Sequence, residues 1–249
     1  MLTGSTTVAI KHNKGVILST DTMLNFGRLL VPFKSRIFVI NGTVFTFNGK
    51  FADIQELIRL IEEENTKHAK TFLRKADKTQ EIYSNKVDEN KEFPAFDRSK
   101  GISSFMFAKF IQRLLYSRRS QMDPLQVNVT VAGRLTHSEK EILEENHYTK
   151  FQKVSDDFFL AGINTRGLFY QSNVVCTGLA QHMSTPHLRG DETEIHTLVD
   201  AETAAKRVKE SMKNLYYRNC AASDEIAMCY IEKEKITVKL QKLSTEWNE

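Results

Sequence analysis

The run Ile226-Ala227-Met228-Cys229-Tyr230-Ile231 has no polar face. Read as a strand within Glu225 to Glu232, it points alternate side chains at two apolar surroundings, so both its faces must be covered. A chain with such a strand needs layers on either side of a sheet. Thr6 to Ile10 and Gly15 to Thr20 read as strands joined by the compact polar turn His12-Asn13-Lys14-Gly15. Arg36 to Ile40 and Thr43 to Phe47 repeat the pattern around Asn41-Gly42, a dipeptide suited to the positive φ angles of a tight hairpin. Helical spacing then takes over at Phe51, Ile54, Leu57, Ile58 and Ile61, with Glu62-Glu63-Glu64 outside that face. A second helix is predicted from about Ser103 to Ser117, its inward face Phe107, Phe110, Ile111, Leu114 and Leu115, with Pro124 barring continuation.

Strands return at Val127 to Ala132 and Phe158 to Ile163, and Gly167 to Gln171 is expected to pair back onto the latter. A third helix runs from about Glu202 to Tyr217 with Ala205, Val208, Met212 and Leu215 on one face, and Ile236 to Leu240 closes the chain as a strand. Two polar inserts, about 65–100 and 136–157, read as surface excursions. The segregated order of strands and helices predicts an α+β architecture, two antiparallel sheets with helices outside, as a single domain over 1–249.

Composition excludes several classes. A net charge of +4, evenly spread, does not suit nucleic acid as the main partner. No apolar run is long enough for a membrane span, and no secretory signal opens the sequence. Cys176, Cys220 and Cys229 follow no metal or redox spacing and fit a reducing compartment. His182, His187 and His196 share a polar stretch with Asp191, Glu192 and Glu194, but the spacing matches no ligand motif. With Pro186 and Gly190 inside it, the stretch reads as a solvated loop. Lys206, Arg207, Lys209 and Lys213, with Glu202 and Glu210, read as a solvated helix face with ion pairs. No cofactor and no metal are expected.

Gly4-Ser5-Thr6-Thr7-Val8-Ala9-Ile10, then Gly15-Val16-Ile17-Leu18 and Asp21, resembles the opening of proteasome β subunits. Leu115 to Leu125 (LYSRRSQMDPL), Leu215-Tyr216-Tyr217-Arg218 and Leu243-Ser244-Thr245-Glu246 are similar to segments of one non-catalytic type in that family. That type is the one at the seventh β position of the eukaryotic ring, β type 4 in the human naming. The resemblance spans nearly the whole chain apart from the two inserts. It implies a four-layer αββα sandwich of the N-terminal nucleophile hydrolase fold, working in cytoplasm and nucleus.

Active members of the family use an N-terminal Thr freed by self-cleavage after a Gly. Its own α-amine activates it, a Lys and an Asp stand nearby, and further Ser and Asp groups complete the proton network. Ser5 falls on the nucleophile position and Asp21 on that Asp. The Lys position falls on Arg36, or on Lys34 with a different gap, and Arg is not a conservative substitute. Asn219 replaces the Asp of the LYYRD segment, Ala222 a Ser, and Leu179 the Ser of a Gly-Ser-Gly turn. The site is therefore expected to be degenerate and the chain to carry no catalytic residue. The alternative is a processed hydrolase using Ser5, and a further rival is a self-contained homo-oligomeric protease.

For a ring subunit, the resemblance implies lateral packing on other β subunits, vertical packing on the α ring, assembly chaperones, and contact with the opposite β ring through the tail 242–249. Tyr116, Arg118, Arg119, Met122 and Trp247 are the interface candidates, with Arg118 and Arg119 bridging carboxylates of a neighbour and Trp247 anchoring the tail.

Overall fold

A computed structural model describes residues 2–4, 6–33, 35–72, 91–94, 102–137, 139–140, 157–189 and 199–245. Its strands are β1 (Leu2–Gly4), β2 (Thr6–His12), β3 (Gly15–Asp21), β4 (Met23–Phe26), β5 (Leu29–Pro32), β6 (Ile37–Ile40), β7 (Thr43–Lys50), β8 (Lys91–Pro94), β9 (Val127–Arg134), β10 (Phe158–Ile163), β11 (Phe169–Gln171), β12 (Val174–Gly178), β13 (Glu225–Ile231) and β14 (Lys235–Lys242). The helices are α1 (Phe51–Phe72), α2 (Ser104–Ser120), α3 (Ala180–Arg189) and α4 (Ala201–Arg218).

The strands form two antiparallel sheets. One runs β11-β10-β9-β7-β1-β4-β5 with β6 also on β7, and the other runs β12-β2-β3-β13-β14-β8. Strand periodicity explains the layers. In β7, Phe45 and Phe47 face α1 and α2, joining Leu57, Ile61, Phe107 and Ile111 in one core cluster. Val44, on the opposite face, joins Leu18, Ala132, Leu160 and Cys229 between the sheets. In β13, Ala227 and Cys229 point into that inter-sheet layer, while Ile226 and Met228 meet Val208, Met212 and Leu215 of α4. The doubly apolar strand is thus covered on both faces, and the molecule is a four-layer αββα sandwich.

Both sequence-derived hairpins are present. Asn41 (φ 45°) and Gly42 (φ 69°) occupy the left-handed region between β6 and β7. β2 and β3 pair from Thr7↔Thr20 to His12↔Gly15. β11 pairs with β10 as expected.

Several readings are corrected. α1 extends to Phe72, well into the expected first insert, because Asn65 is buried and its side-chain oxygen accepts from the Ile102 backbone N–H. Lys91–Pro94 is a strand on the β14 edge, with Glu92 paired to Lys235 at 2.8 Å. The polar stretch around His182 and His187 is helical, not a loop. Ala180, Ser184 and Leu188 supply a buried i, i+4, i+8 stripe that outweighs the donor lost at Pro186. β1, β4, β5 and β12 are absent from the sequence reading. The second insert is tied at its stems: Glu139 accepts from Thr136 N–H (2.9 Å) and from Ser103, and Asp157 pairs with Lys140 and Lys233. Residues 73–90, 95–101 and 141–156 of the inserts lie outside the described residues.

The β2–β3 turn is fixed to the start of α4 through Asn13, which bonds Val199 O and the Asp200 carboxylate. Beside it, His12 is 4% exposed and its Nδ1 accepts from Lys14 N–H, so it is held neutral. Burial lowers its pKa from the ordinary value. Its contribution to stability is complete above about pH 6.5 and is lost as pH falls from there through the folded-state pKa, since the unfolded chain takes up the proton first. Urea midpoints at pH 8, 6 and 5 are expected to fall more steeply for the wild type than for His12→Gln. Parallel curves would show that His12 carries no such linkage.

Candidate functional site

Asp21 ends β3, Thr6 begins β2, and Arg36 lies just ahead of β6. The three are buried together, at 0%, 1% and 2% exposure. Thr6 Oγ1 donates to Asp21 Oδ1 at 2.7 Å, and Arg36 Nη2 forms an ion pair with the same oxygen. Arg36 Nη1 donates to Asn48 Oδ1 at 2.7 Å, Nη2 to the Thr6 carbonyl at 3.0 Å, and Nε to the Asp21 carbonyl at 3.3 Å. The planar, five-donor fork of Arg suits this set of acceptors, which a single ammonium could not span. Of the two expected candidates for the Lys position, Arg36 lies against Asp21, and Lys34 lies outside the described residues.

The network continues between the sheets. Asn48 Nδ2 donates to Thr177 Oγ1 at 2.6 Å and to Thr7 Oγ1 at 3.0 Å, and Thr130 Oγ1 lies 3.4 Å from Thr177 Oγ1. Asn48, Thr7, Thr130 and Thr177 are absent from the sequence-derived site. The available signal was periodicity: Phe45 and Phe47 fix the helix face of β7, so Thr46 and Asn48 must point at the other sheet.

Above the guanidinium the backbone comes close. A Cβ at Gly4 would collide with Arg36 Nη1, so only glycine fits. Gly4 belongs to β1, which is paired on both sides, with Leu2↔Phe26 to Gly4↔Leu24 on β4 and Thr3↔Lys50 and Gly4↔Gly49 on β7. The chain then crosses from one sheet to the other between Gly4 and Thr6. Ser5, at that crossing, lies outside the described residues.

The remaining expected positions do not complete a proton network. Asn219 caps α4, its Oδ1 accepting from Ala221 N–H at 3.1 Å, and its Nδ2 is buried without a partner. Ala222 offers only a methyl group, and Leu179 is 42% exposed at the entry to α3. Burial pushes the Arg36 guanidinium down to about 9, which leaves it a cation at pH 7 and no proton acceptor. Among the described residues no group of three or more His, Cys, Asp or Glu is placed to hold a metal. His196, Asp191, Glu192 and Glu194 are outside them.

The interface candidates lie apart from this site. Tyr116 and Met122 are 56% and 91% exposed at the end of α2. Arg118 is committed within the chain, to Asp123 at 2.7 Å and Glu56 at 3.8 Å, so of the Arg pair only Arg119 is free of an internal carboxylate among the described residues. The expected tail begins later than residue 242, since Lys242 still pairs in β14 and Leu243 is buried against the α4 core. Trp247 is outside the described residues.

Arg36→Ala is expected to cost about 3–5 kcal/mol in urea unfolding, because it strands the Asp21 carboxylate without its counter-charge. Adding Asp21→Asn to Arg36→Ala should recover part of that loss, a positive coupling that a double-mutant cycle reads directly. Additive effects would show that the pair is not energetically linked.

A family model described as proteasome subunit matches residues 1–89. The chain is 28% identical over 250 residues to the probable proteasome subunit beta type-7 of Encephalitozoon cuniculi, covering 99% of this chain and 93% of that protein. It is 25% identical over 255 residues to the proteasome subunit beta type-7 of Saccharomyces cerevisiae, covering 100% of this chain and 81% of that protein. It is 26% identical over 252 residues to the proteasome subunit beta type-4 of Xenopus laevis, covering 100% of this chain and 84% of that protein. With the αββα sandwich and the Asp21–Arg36 site placed where β2 begins and β3 ends, these matches make the chain similar to proteasome β subunits along nearly its whole length.

Proposed function

We propose that the chain is a non-catalytic structural subunit of the 20S proteasome core, filling the seventh β position of the ring. Its relatives over nearly the whole length carry the type-7 and type-4 names, which supports that position. On this reading it packs on neighbouring β subunits and on the α ring, and its last residues reach toward the opposite β ring.

One observation carries the non-catalytic assignment. The residues before Ser5 are an interior strand of a sheet, paired to both β4 and β7. A working nucleophile needs a free α-amine at Ser5, hence a cut between Gly4 and Ser5 and removal of β1 from between its partners. Those pairings, and the close seating of Gly4 on Arg36, oppose that removal. The chemistry points the same way. Arg36 is a cation at pH 7 and so offers no base, and Asn219, Ala222 and Leu179 carry neither the carboxylate nor the hydroxyls that the family's proton network uses.

The test is the intact mass of this chain taken from purified assembled particles, together with Ser5→Ala in the same particles. The expected mass retains the residues before Ser5, and the variant leaves every peptidase activity of the particle unchanged. A mass beginning at Ser5, joined to an activity lost in the variant, would make the chain an enzyme.

A further inference from the structure

The end of α2 holds a residue whose backbone and side chain are both costly to the isolated chain. Met122 has φ 62° and is 91% exposed. The only other non-glycine residue with positive φ among the described residues is Asn41, in a hairpin turn that Asn tolerates. Met122 follows the C-cap Gln121, and the N–H groups of Gln121, Met122 and Asp123 return to Arg118 and Arg119 carbonyls. That is a helix ending in which glycine is the unstrained choice. Folding alone has no use for a methionine there, since its side chain is almost wholly in solvent.

The same end of α2, and the turn packed on it, expose further apolar groups. Tyr116 is 56% exposed and Leu168 61%. Leu168 is displayed by an ordered turn in which Asn164 Oδ1 accepts from Arg166 N–H at 3.0 Å and from Leu168 N–H at 2.9 Å. That turn is pressed onto α2: a Cβ at Gly167 would lie 2.8 Å from Tyr116 N and Cβ. The charge around these apolar groups is one-sided. Asp123 is taken up by Arg118, and Glu56 by Arg59, with Arg118 at 3.8 Å. Arg119 lies over the Tyr116 ring at 5.9 Å, and neither it nor Arg166 has a carboxylate partner among the described residues.

We infer that Met122 is a docking knob: it inserts into an apolar pocket of an adjacent subunit whose rim carries carboxylates for Arg119 and Arg166. The occupant is a protein neighbour because two guanidiniums around exposed Met, Tyr and Leu match a protein interface, where Met, Tyr and Arg are enriched. This inference rests on the ring-subunit reading, since that reading supplies the neighbour.

The decisive variant is Met122→Gly, which removes the knob while easing the backbone, so misfolding cannot imitate the effect. The full chain is co-expressed with the other subunits of the particle and its incorporation measured by native mass spectrometry, beside thermal unfolding of the chain alone. The expected result is an unchanged or higher Tm and an incorporation lowered by roughly tenfold or more. Arg119→Glu with Arg166→Glu is expected to lower incorporation likewise without lowering Tm. Wild-type chain that enters the particle, with both variants entering equally well, overturns the docking inference alone. Wild-type chain that fails to enter overturns the ring-subunit reading, and the docking inference with it.

Discussion

The buried pair of Asp21 and Arg36 is the constraint around which the open end of the sandwich is organised. One guanidinium holds the end of β3 through the Asp21 carboxylate and carbonyl, the start of β2 through the Thr6 carbonyl, and β7 through Asn48. It also sets the height at which β1 can pass over it, since Gly4 rests directly on it. Four strands drawn from both sheets thus share a single side chain. Taking two charges out of water is costly, and such a pair need not add net stability. Its effect is on arrangement: a shift of β1 would bring a side chain against the guanidinium, and a shift of β2 would take the Thr6 hydroxyl and carbonyl from Asp21 and Arg36.

The bulk of the stability lies elsewhere, in three apolar layers. The clusters between α1–α2 and the first sheet, between the sheets, and between the second sheet and α3–α4 are made of side chains alternating along shared strands. Because each central strand serves two layers, a shift by one residue would exchange the contents of both. The far end of the sandwich is closed by polar contacts instead. There the stems of the second insert, the N-cap Ser103 and the β13–β14 turn are joined through Glu139, Asp157 and Lys233. β8 protects the β14 edge with a charged pair and a proline, residue types that discourage further pairing.

The layers were legible in the sequence because they rest on periodicity. Phe45 and Phe47, Leu57 and Ile61, and the two-faced run at 226–231 each declare their faces locally. The elements that escaped are those whose reason for existing is elsewhere in space. Leu2–Gly4 is a strand only because β4 and β7 flank it, and three residues carry no period. Lys91–Pro94 is polar and takes its conformation from the β14 edge. α3 has a short stripe of small residues and a proline, so its helical state comes from packing on β12 and α4, not from propensity. At the site, Asp21 and Arg36 were named by resemblance, and the structure brings the two into contact. Asn48, Thr7 and Thr177 were hidden because their partnership spans distances of up to 129 residues in sequence.

The same sandwich can hold a hydrolase or a scaffold, and the difference lies in which groups can exchange a proton near neutral pH. At this site the cation is a guanidinium that stays charged at pH 7, and the carboxylate is engaged by that guanidinium and by the Thr6 hydroxyl. Asn219, which could only donate or accept a hydrogen bond, is turned to capping α4. Among the described residues, the Asp21 carboxylate, the Thr6 hydroxyl and the Arg36 guanidinium are all engaged with one another. A site filled in this way positions β1 and the open ends of two sheets, and a well-fixed surface is what a ring neighbour needs to recognise. The guanidinium at position 36 holds Asp21, Thr6 and Asn48 in one arrangement and keeps its own charge at pH 7, so the group that defines the structure here is not one that takes up a proton.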